Sequence, residues 1–417
     1  MLIPNKKQFT RLLQFAGVAR FAYNWALAEH MEDFRAGRRF RSHYDLRKEF
    51  TVLKHLGDRP WLFEVSNNVT KQAIKDCSIA YSNFFRKQKS SGYVKYTKKT
   101  LKRLAKLNKK PTPYDMNGHP HFKCKKNGYF RFYQDTEKIR FTATHVKLES
   151  LTDSKRRDRQ RFNFIRLAEH GRIPTNAKYI NPRVSFDGEH WWISVSVEIE
   201  NTPVCGVYGD GLGIDLGIKS LAVLSDASVV ANINKTKTVR KLEKRRRRLQ
   251  RRVSRLIENS KKNNKKGDSY EKTRNTIKSE KKLLRVVHRL TNIRQNHLHQ
   301  ATTAIIKRKP SFICLEDLNV RGMMANKHLA KVVQEQKFYE FRKQIEYKAE
   351  WEKIQVIIAD RFYPSSKTCI ACGKIKHELK LSDRVYKCDC GNVIDRDLQA
   401  AINLKRYADN VLKRSAV

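Results

Sequence analysis

Apolar residues recur at helical spacing near the start of the chain, where Phe9, Leu12, Leu13, Ala16 and Tyr23 mark one face of a segment running from Phe9 to about Met31. A second segment repeats the period through Val69, Ala73, Cys77, Ala80, Tyr81 and Phe84. Both predict amphipathic helices, so the N-terminal part reads as helix-rich. The period then changes. Trp191, Ile193, Val195, Val197 and Ile199 alternate with Ser194, Ser196 and Glu198 behind an Asp187-Gly188 turn, which predicts a half-buried hairpin strand and a β-structured end to this half. Further along, Leu242, Leu249, Val253 and Leu256, then Leu283, Val286, Val287, Leu290 and Ile293, give two amphipathic helices either side of the polar stretch Asn259 to Ser269. A helical hairpin is expected there.

Length and charge sharpen this picture. A chain of 417 residues exceeds what one core fills, since single cores stop growing near roughly 250 residues, so two or three domains are expected. Pro203 and three glycines between Asn201 and Gly211 mark the main boundary. The 89 Lys and Arg against 41 Asp and Glu leave a formal charge of +48, which calls for a polyanionic partner such as nucleic acid. Much of it lies in the predicted hairpin, Lys235 to Lys309, which includes RRRRLQRR at 245 to 252. More lies in Lys95 to Lys126, a stretch broken by Pro111, Pro113 and Pro120 that reads as a loop against something anionic. No run of about 18 apolar residues and no signal-peptide pattern over Met1 to Arg20 point to a membrane.

Three acidic positions carry the candidate chemistry. Asp215 ends a short apolar strand in GLGIDLGIKSLAVLSD, with a return strand at Ser220 to Leu224; Glu316 ends another in SFICLEDL; Asp395 and Asp397 open a helix in VIDRDLQAAINL whose buried face is Leu398, Ala401, Ile402 and Leu404 or Lys405. An acid in a first helical turn is also favoured by the helix dipole. Carboxylates converging from two neighbouring strands and a helix are what a two-metal phosphodiesterase needs. Hard oxygen ligands select Mg²⁺ or Mn²⁺.

The strings GIDLGIKSLAVLSD, ICLEDLNVRGM, YPSSKTCIACG and DRDLQAAINL, spanning Gly213 to Leu404 in that order, resemble the successive signatures of the TnpB family, transposon-encoded RNA-guided DNA nucleases related to type V CRISPR effectors. GVARFAYNWAL at Gly17 and AIKDCSIAYSNFFR at Ala73 resemble that family's recognition-lobe helices more loosely. The resemblance implies Asp215, Glu316 and Asp397 as the catalytic Mg²⁺ ligands, with Asp395 as their neighbour. It implies an α/β multidomain chain: recognition helices and a β-barrel-like wedge over 1–205, an RNase H-like (RuvC) nuclease domain over 206–368 with its basic helical insertion at 235–309, a zinc-ribbon insertion at 369–391, and a final RuvC helix and tail over 392–417. Two departures stand out. The family opens with a strand for which this chain has almost no residues before Pro4, so a missing or replaced first strand is expected. Gln399 also stands where the family usually has Asn.

Four of eight cysteines cluster as Cys369-Ile-Ala-Cys372 and Cys388-Asp-Cys390, one residue short of the ribbon pattern that holds structural Zn²⁺. A four-sulfur zinc site is expected, with His377 as the substitute ligand if the shortened pair fails. Cys77, Cys124, Cys205 and Cys314 read as ordinary core or surface thiols.

Nothing resembles a helix-turn-helix reader or a zinc-finger array, so the positive charge is directed at backbones rather than base edges. The resemblance supplies the partners: a guide RNA from the transposon end and double-stranded target DNA with a short flanking motif, in a prokaryotic cytoplasm and on the nucleoid when DNA-bound. Tyr23, Trp25, Tyr93 and Tyr96 lie near basic residues, where core packing outweighs base stacking as a role. Competing readings are a type V CRISPR effector, which shares the nuclease domain, a guided DNA-binding regulator, which would have lost an acid, and a basic RNA-binding protein without catalysis, which would not need the three.

Overall fold

The computed structural model describes residues 1–124, 130–152, 159–198, 208–262, 272–379 and 383–415, and the chain divides into two compact units, Met1–Glu200 and Asn201–Val417. Ile199, Cys205, Lys125, Lys126 and most of the expected 201–211 boundary lie outside the described residues.

The first unit runs β1 (Leu2–Ile3), α1 (Lys6–Arg35), α2 (His43–His55), α3 (Asn67–Gln88), α4 (Lys98–Lys106), β2 (Phe130–Tyr133), β3 (Arg140–Phe141), β4 (His145–Lys147), α5 (Arg159–Phe162), β5 (Phe164–Leu167), β6 (Tyr179–Phe186) and β7 (Trp191–Val197). Asn5 starts α1 with a capping box: its side chain accepts from the Gln8 amide while the Gln8 side chain accepts from the Asn5 amide. The Gln8 side-chain amide then donates to the carbonyls of Phe162 and Phe164, both at 2.9 Å, which fastens α1 to the sheet. The predicted apolar faces meet there, as Leu12, Phe15 and Ala16 of α1, Val69, Ile74 and Tyr81 of α3, and Phe132, Val184 and Trp191 of the sheet share one core. Each such side chain contributes about 1.5–3 kcal/mol on full burial.

Two expectations need correction here. The first strand is not missing: β1 has only two residues, yet Leu2 pairs with Leu167 on one side and Trp191 on the other. It is the link that makes β2-β6-β7-β1-β5-β4-β3 one seven-stranded sheet. The two edge strands, β2 and β3, are consecutive in the chain and contribute Phe132 and Phe141 to the same core. The basic stretch Lys95 to Lys126 is also not all loop. Thr97 caps a helix there, its side chain accepting from the Thr100 amide, and of that helix only Leu104 is buried.

The second unit comprises β8 (Leu212–Leu216), β9 (Ala222–Leu224), β10 (Val229–Val230), α6 (Lys237–Lys262), α7 (Arg274–Ile306), β11 (Phe312–Glu316), α8 (Val320–Ala325), α9 (Ala330–Gln336), α10 (Phe338–Trp351), β12 (Gln355–Ala359), β13 (Val385–Lys387), β14 (Val393–Asp395) and α11 (Arg396–Ser415). Its main sheet has the order β10-β9-β8-β11-β12. The hairpin strands β8, β9 and β10 are antiparallel, whereas β11 and β12 run parallel with β8. Parallel strands covered on both faces read as continuous apolar runs, as FICL of β11 does. The basic hairpin forms from α6 and α7, zipped by Val239, Leu242, Val286 and Leu290. Arg294 and Arg246 share the buried Glu243 in its middle, while the remaining cations point outward. No described helix is long and apolar enough to cross a membrane.

Candidate metal centres

The parallel register of β8 and β11 sets Ile214 opposite Leu315, so the next residue on each strand, Asp215 and Glu316, stands at the same level of the sheet. The third acid arrives by close packing. A Cβ on Gly213 would sit 2.0 Å from the Ala401 carbonyl oxygen and 2.5 Å from the Lys405 amide, which means that only glycine lets α11 lie directly on β8. The helix face that packs there is Ala400, Ala401, Leu404 and Ala408. Small residues thus replace part of the expected face, and Leu398 and Ile402 are only half-buried. This contact brings the first turn of α11, with Asp397, to the end of β8.

Electrostatics register the convergence. The Asp215 carboxyl is pushed up to about 8, first by burial, then by the charges of Glu316 and Asp397, with Arg396 opposing and Asp395 adding least. Glu316 is raised too, by burial and then by Asp317. Neighbouring acids that resemble these in sequence are occupied otherwise. Asp317 is bound by Arg361 and Arg342, which hold its carboxyl below the usual range. Asp395 Oδ1 accepts from the amides of Asp397 at 2.9 Å and Leu398 at 3.2 Å, the work of a helix cap. Among the described residues no side-chain hydrogen bond occupies Asp215, Glu316 or Asp397. Half-buried carboxylates without donors either keep a proton, as Asp215 does up to about 8, or take a cation, so the donor set fits hard divalent ions.

The four cysteines are the one set of three or more potential ligands, among the described residues, whose donor atoms all lie within 4.8 Å of one another. The three carboxylates are not such a set, since their oxygens do not all lie within 4.8 Å of one another. In the cysteine cluster Cys369 and Cys390 sulfurs are 3.6 Å apart, as are Cys372 and Cys388. Tetrahedral zinc with bonds near 2.3 Å gives edges of about 3.8 Å, so the cluster is compatible with a structural zinc. The shortened C-x-C closes because a tight turn absorbs the lost residue: Cys388 N–H donates to Asn392 O, Gly391 N–H to Cys388 O, and Gly391 takes a φ of +89°. His377 is exposed and outside the cluster. Burial works against the Cys369 thiolate, but amides of Cys372 and Ala371 outweigh it and bring the thiol down to about 6.

Polar residues of α11 bind it to this cysteine segment, and no hydrophobic period marks them. Asn403, buried, donates to the carbonyls of Ser365 at 2.7 Å and Thr368 at 2.6 Å, immediately before Cys369. Arg406 donates to Ile370 O. Asn392 donates to the Cys369 sulfur and to Gln399 Oε1, at 3.5 and 3.3 Å. Gln399, the departure from the family pattern, is fully buried with its Nε2 unpartnered among the described residues. The usable signal was position: Gln399 and Asn403 stand one helical turn apart, beside the buried Ala400 and Leu404.

This arrangement sets acids at two parallel strand ends and on a helix, with a four-cysteine knuckle inserted before that helix, in an α/β unit with two candidate metal sites. Three family models match the chain: "Helix-turn-helix domain" over residues 1–39, "Probable transposase" over 194–327 and "Cas12f1-like, TNB domain" over 338–404. The first overturns the expectation that nothing resembles a helix-turn-helix, although α1 in that stretch is one unbroken helix. A Streptomyces pristinaespiralis protein described as "Putative RNA-guided DNA endonuclease" is 28% identical, covering 96% of this chain and 86% of its own. InsQ of Escherichia coli K12, described likewise, is 27% identical over 99% and 92%. A solved Cas12f1 chain, from a complex with sgRNA and target DNA, superposes with a TM-score of 0.52 at 14% identity, covering 96% of this chain and 82% of that one. Together these likenesses support a TnpB-family protein.

Proposed function

We propose that this chain is an RNA-guided DNA endonuclease that hydrolyses target DNA at a magnesium site held by Asp215, Glu316 and Asp397. The observation that carries the reading is the meeting of these three acids at the ends of β8 and β11 and in the first turn of α11. The sheet order, three antiparallel strands followed by two parallel to the first, supports an RNase H-like (RuvC-type) domain over 206–368 and 392–417. The cysteine knuckle, which the β13-β14 pairing extends to Asp395, is its zinc insertion, and 1–205 forms the recognition and wedge region.

Divalent ions bound there would supply an activated water and charge neutralisation at the leaving oxygen. The chain's own residues do the rest. Glu316 and Asp215 give the site two fixed anionic ends, Asp395 caps the turn that presents Asp397, and Gly213 keeps that turn in reach. Arg342 and Arg361 hold Asp317 aside, which leaves Glu316 free for its role. The outward cations of α6 and α7 bind nucleic-acid backbones without reading sequence, and pairing with the guide RNA reads it, as the descriptions of the relatives and of the Cas12f1 complex suggest for their own proteins.

The test is to purify the full chain, sequence the RNA that accompanies it, and offer DNA complementary to that RNA in the presence of Mg²⁺. A defined RNA and cleavage restricted to complementary DNA are expected. Protein that is stable and RNA-free at moderate salt, or that cuts any DNA alike, overturns the reading.

A further inference from the structure

In the N-terminal unit, α1, α3, β2 and β6 enclose a small niche lined by Arg20, Asp76, Lys123, Arg131 and Arg183. Among the described residues four cations and one carboxylate line it. That carboxylate is saturated: Arg183 holds Asp76 with bonds of 2.6 and 3.0 Å, and Gln72 donates to it at 2.9 Å. Arg20 has less. Its Nη1 is buried without an acceptor among the described residues, a guanidinium does not shed its charge, and such orphaned donors are rare in folded proteins.

The neighbouring cation is fixed in place. Asn24 grips the Lys123 backbone on both sides, accepting from its amide at 2.8 Å and donating to its carbonyl at 3.0 Å, and the ammonium sits 3.4 Å from the centre of the Tyr23 ring. Burial, against the pull of Asp76, brings its amine down to about 8. Arg131, by contrast, is exposed at the rim. The free space is about 20 Å³, more than the roughly 10–15 Å³ that one oxygen-sized guest needs. A neutral guest would satisfy the Arg20 N–H but leave the excess positive charge standing, whereas an anionic oxygen answers both.

We propose that this niche is an anion site that takes one phosphate, seating an oxygen against Arg20 and Lys123 while Arg131 covers the rest of the group at the rim. The chemistry is shared by free phosphate and by a phosphate in a nucleic-acid backbone, and two independent arms separate them. In the first, the full chain, stripped of nucleic acid in high salt, is melted with inorganic phosphate or with chloride at equal ionic strength. A wild-type rise of about 2–4 °C that is lost in Arg20→Gln and Arg131→Gln marks a phosphate site. In the second, binding of a single-stranded RNA is followed against salt. A log–log slope shallower by about 0.7 in the variants, the value for one lost contact on a single strand, assigns the site to a backbone phosphate, and an unchanged slope with the first response assigns it to the free anion. Melting indifferent to phosphate together with coincident slopes overturns the proposal. Arg131→Gln changes an exposed side chain and keeps the test open if Arg20→Gln does not fold. Cleavage is not read, so failure here leaves the carboxylate assignment standing, and the reverse.

Discussion

The carboxylate site and the cysteine cluster both lean on α11, yet they are assembled by opposite means. The sulfurs come from two tight turns close in sequence and are already gathered at 3.6 Å in pairs, with backbone amides of Cys372 and Ala371 easing the charge on Cys369. The acids come from three elements as far apart in sequence as Asp215 and Asp397, and the Asp215 carboxyl is raised first by its burial and then by the charges of Glu316 and Asp397. One centre is closed by local geometry, the other is held open by the fold. The lesson is that the scaffold must supply the force that keeps the acids together, and Gly213, the Asp395 cap and the Asn403 anchor are where it does so.

The largest effect expected from breaking this contrast lies on the open side. Asp215→Ala or Glu316→Ala should lower guided DNA cleavage by about 10³-fold or more, roughly 4 kcal/mol in the barrier, while guide and target binding persist because Lys and Arg carry them. Single-turnover cleavage beside a filter-binding assay checks both; wild-type cleavage in both variants would remove the acids from the mechanism. On the closed side, Cys388→Ser should take bound zinc from about one per chain to none, read by metal analysis. Zinc retained in full would mean that these sulfurs are not the ligands.

Between the two centres, Asn403→Ala leaves the Ser365 and Thr368 carbonyls without their donor. That costs about 1–3 kcal/mol, a fall of about 2–10 °C in the melting of this unit, and a chelator should strip zinc from the variant faster. Unchanged melting and zinc loss would show that α11 and the cysteine segment are not coupled through this residue.

The smallest effect concerns the strain among the acids. Asp215 titrates at about 8 in the folded chain against 3.8 ordinarily, so between those values the folded state holds a proton that the unfolded chain has released. Stability of the metal-free protein therefore falls as pH rises through that window. Asp215→Asn, which cannot ionise, should melt about 2–4 °C higher than wild type near pH 9 without metal, and the gain should vanish near pH 4. Equal gains at both pH values would argue against the ionisation of buried Asp215 as the cause.

Much of this was legible in the sequence because long periodic faces outvote local accidents. Phe9 to Tyr23, Val69 to Phe84 and the Leu242 and Val286 stripes all became packed helices. What escaped had no period to show. β1 is two residues long, and α4 offers Leu104 as its sole buried residue among lysines. Asn403 and Gln399 are polar residues in a core, which a hydrophobic pattern cannot flag. The candidate acids were legible as residues ending apolar strands or opening a helix; family resemblance favours Asp397 over Asp395, and the Asp395 cap adds a physical reason for that proposal.

That choice is the most direct place to test the account. Guided cleavage by the full chain should be measured for wild type, Asp395→Ala and Asp397→Ala with the same RNA and the same target DNA. Asp397→Ala should be inactive with target binding intact, while Asp395→Ala, having lost a cap worth about 1 kcal/mol, should still cut at a reduced rate. An inactive Asp395→Ala beside an Asp397→Ala that cuts like wild type would contradict it.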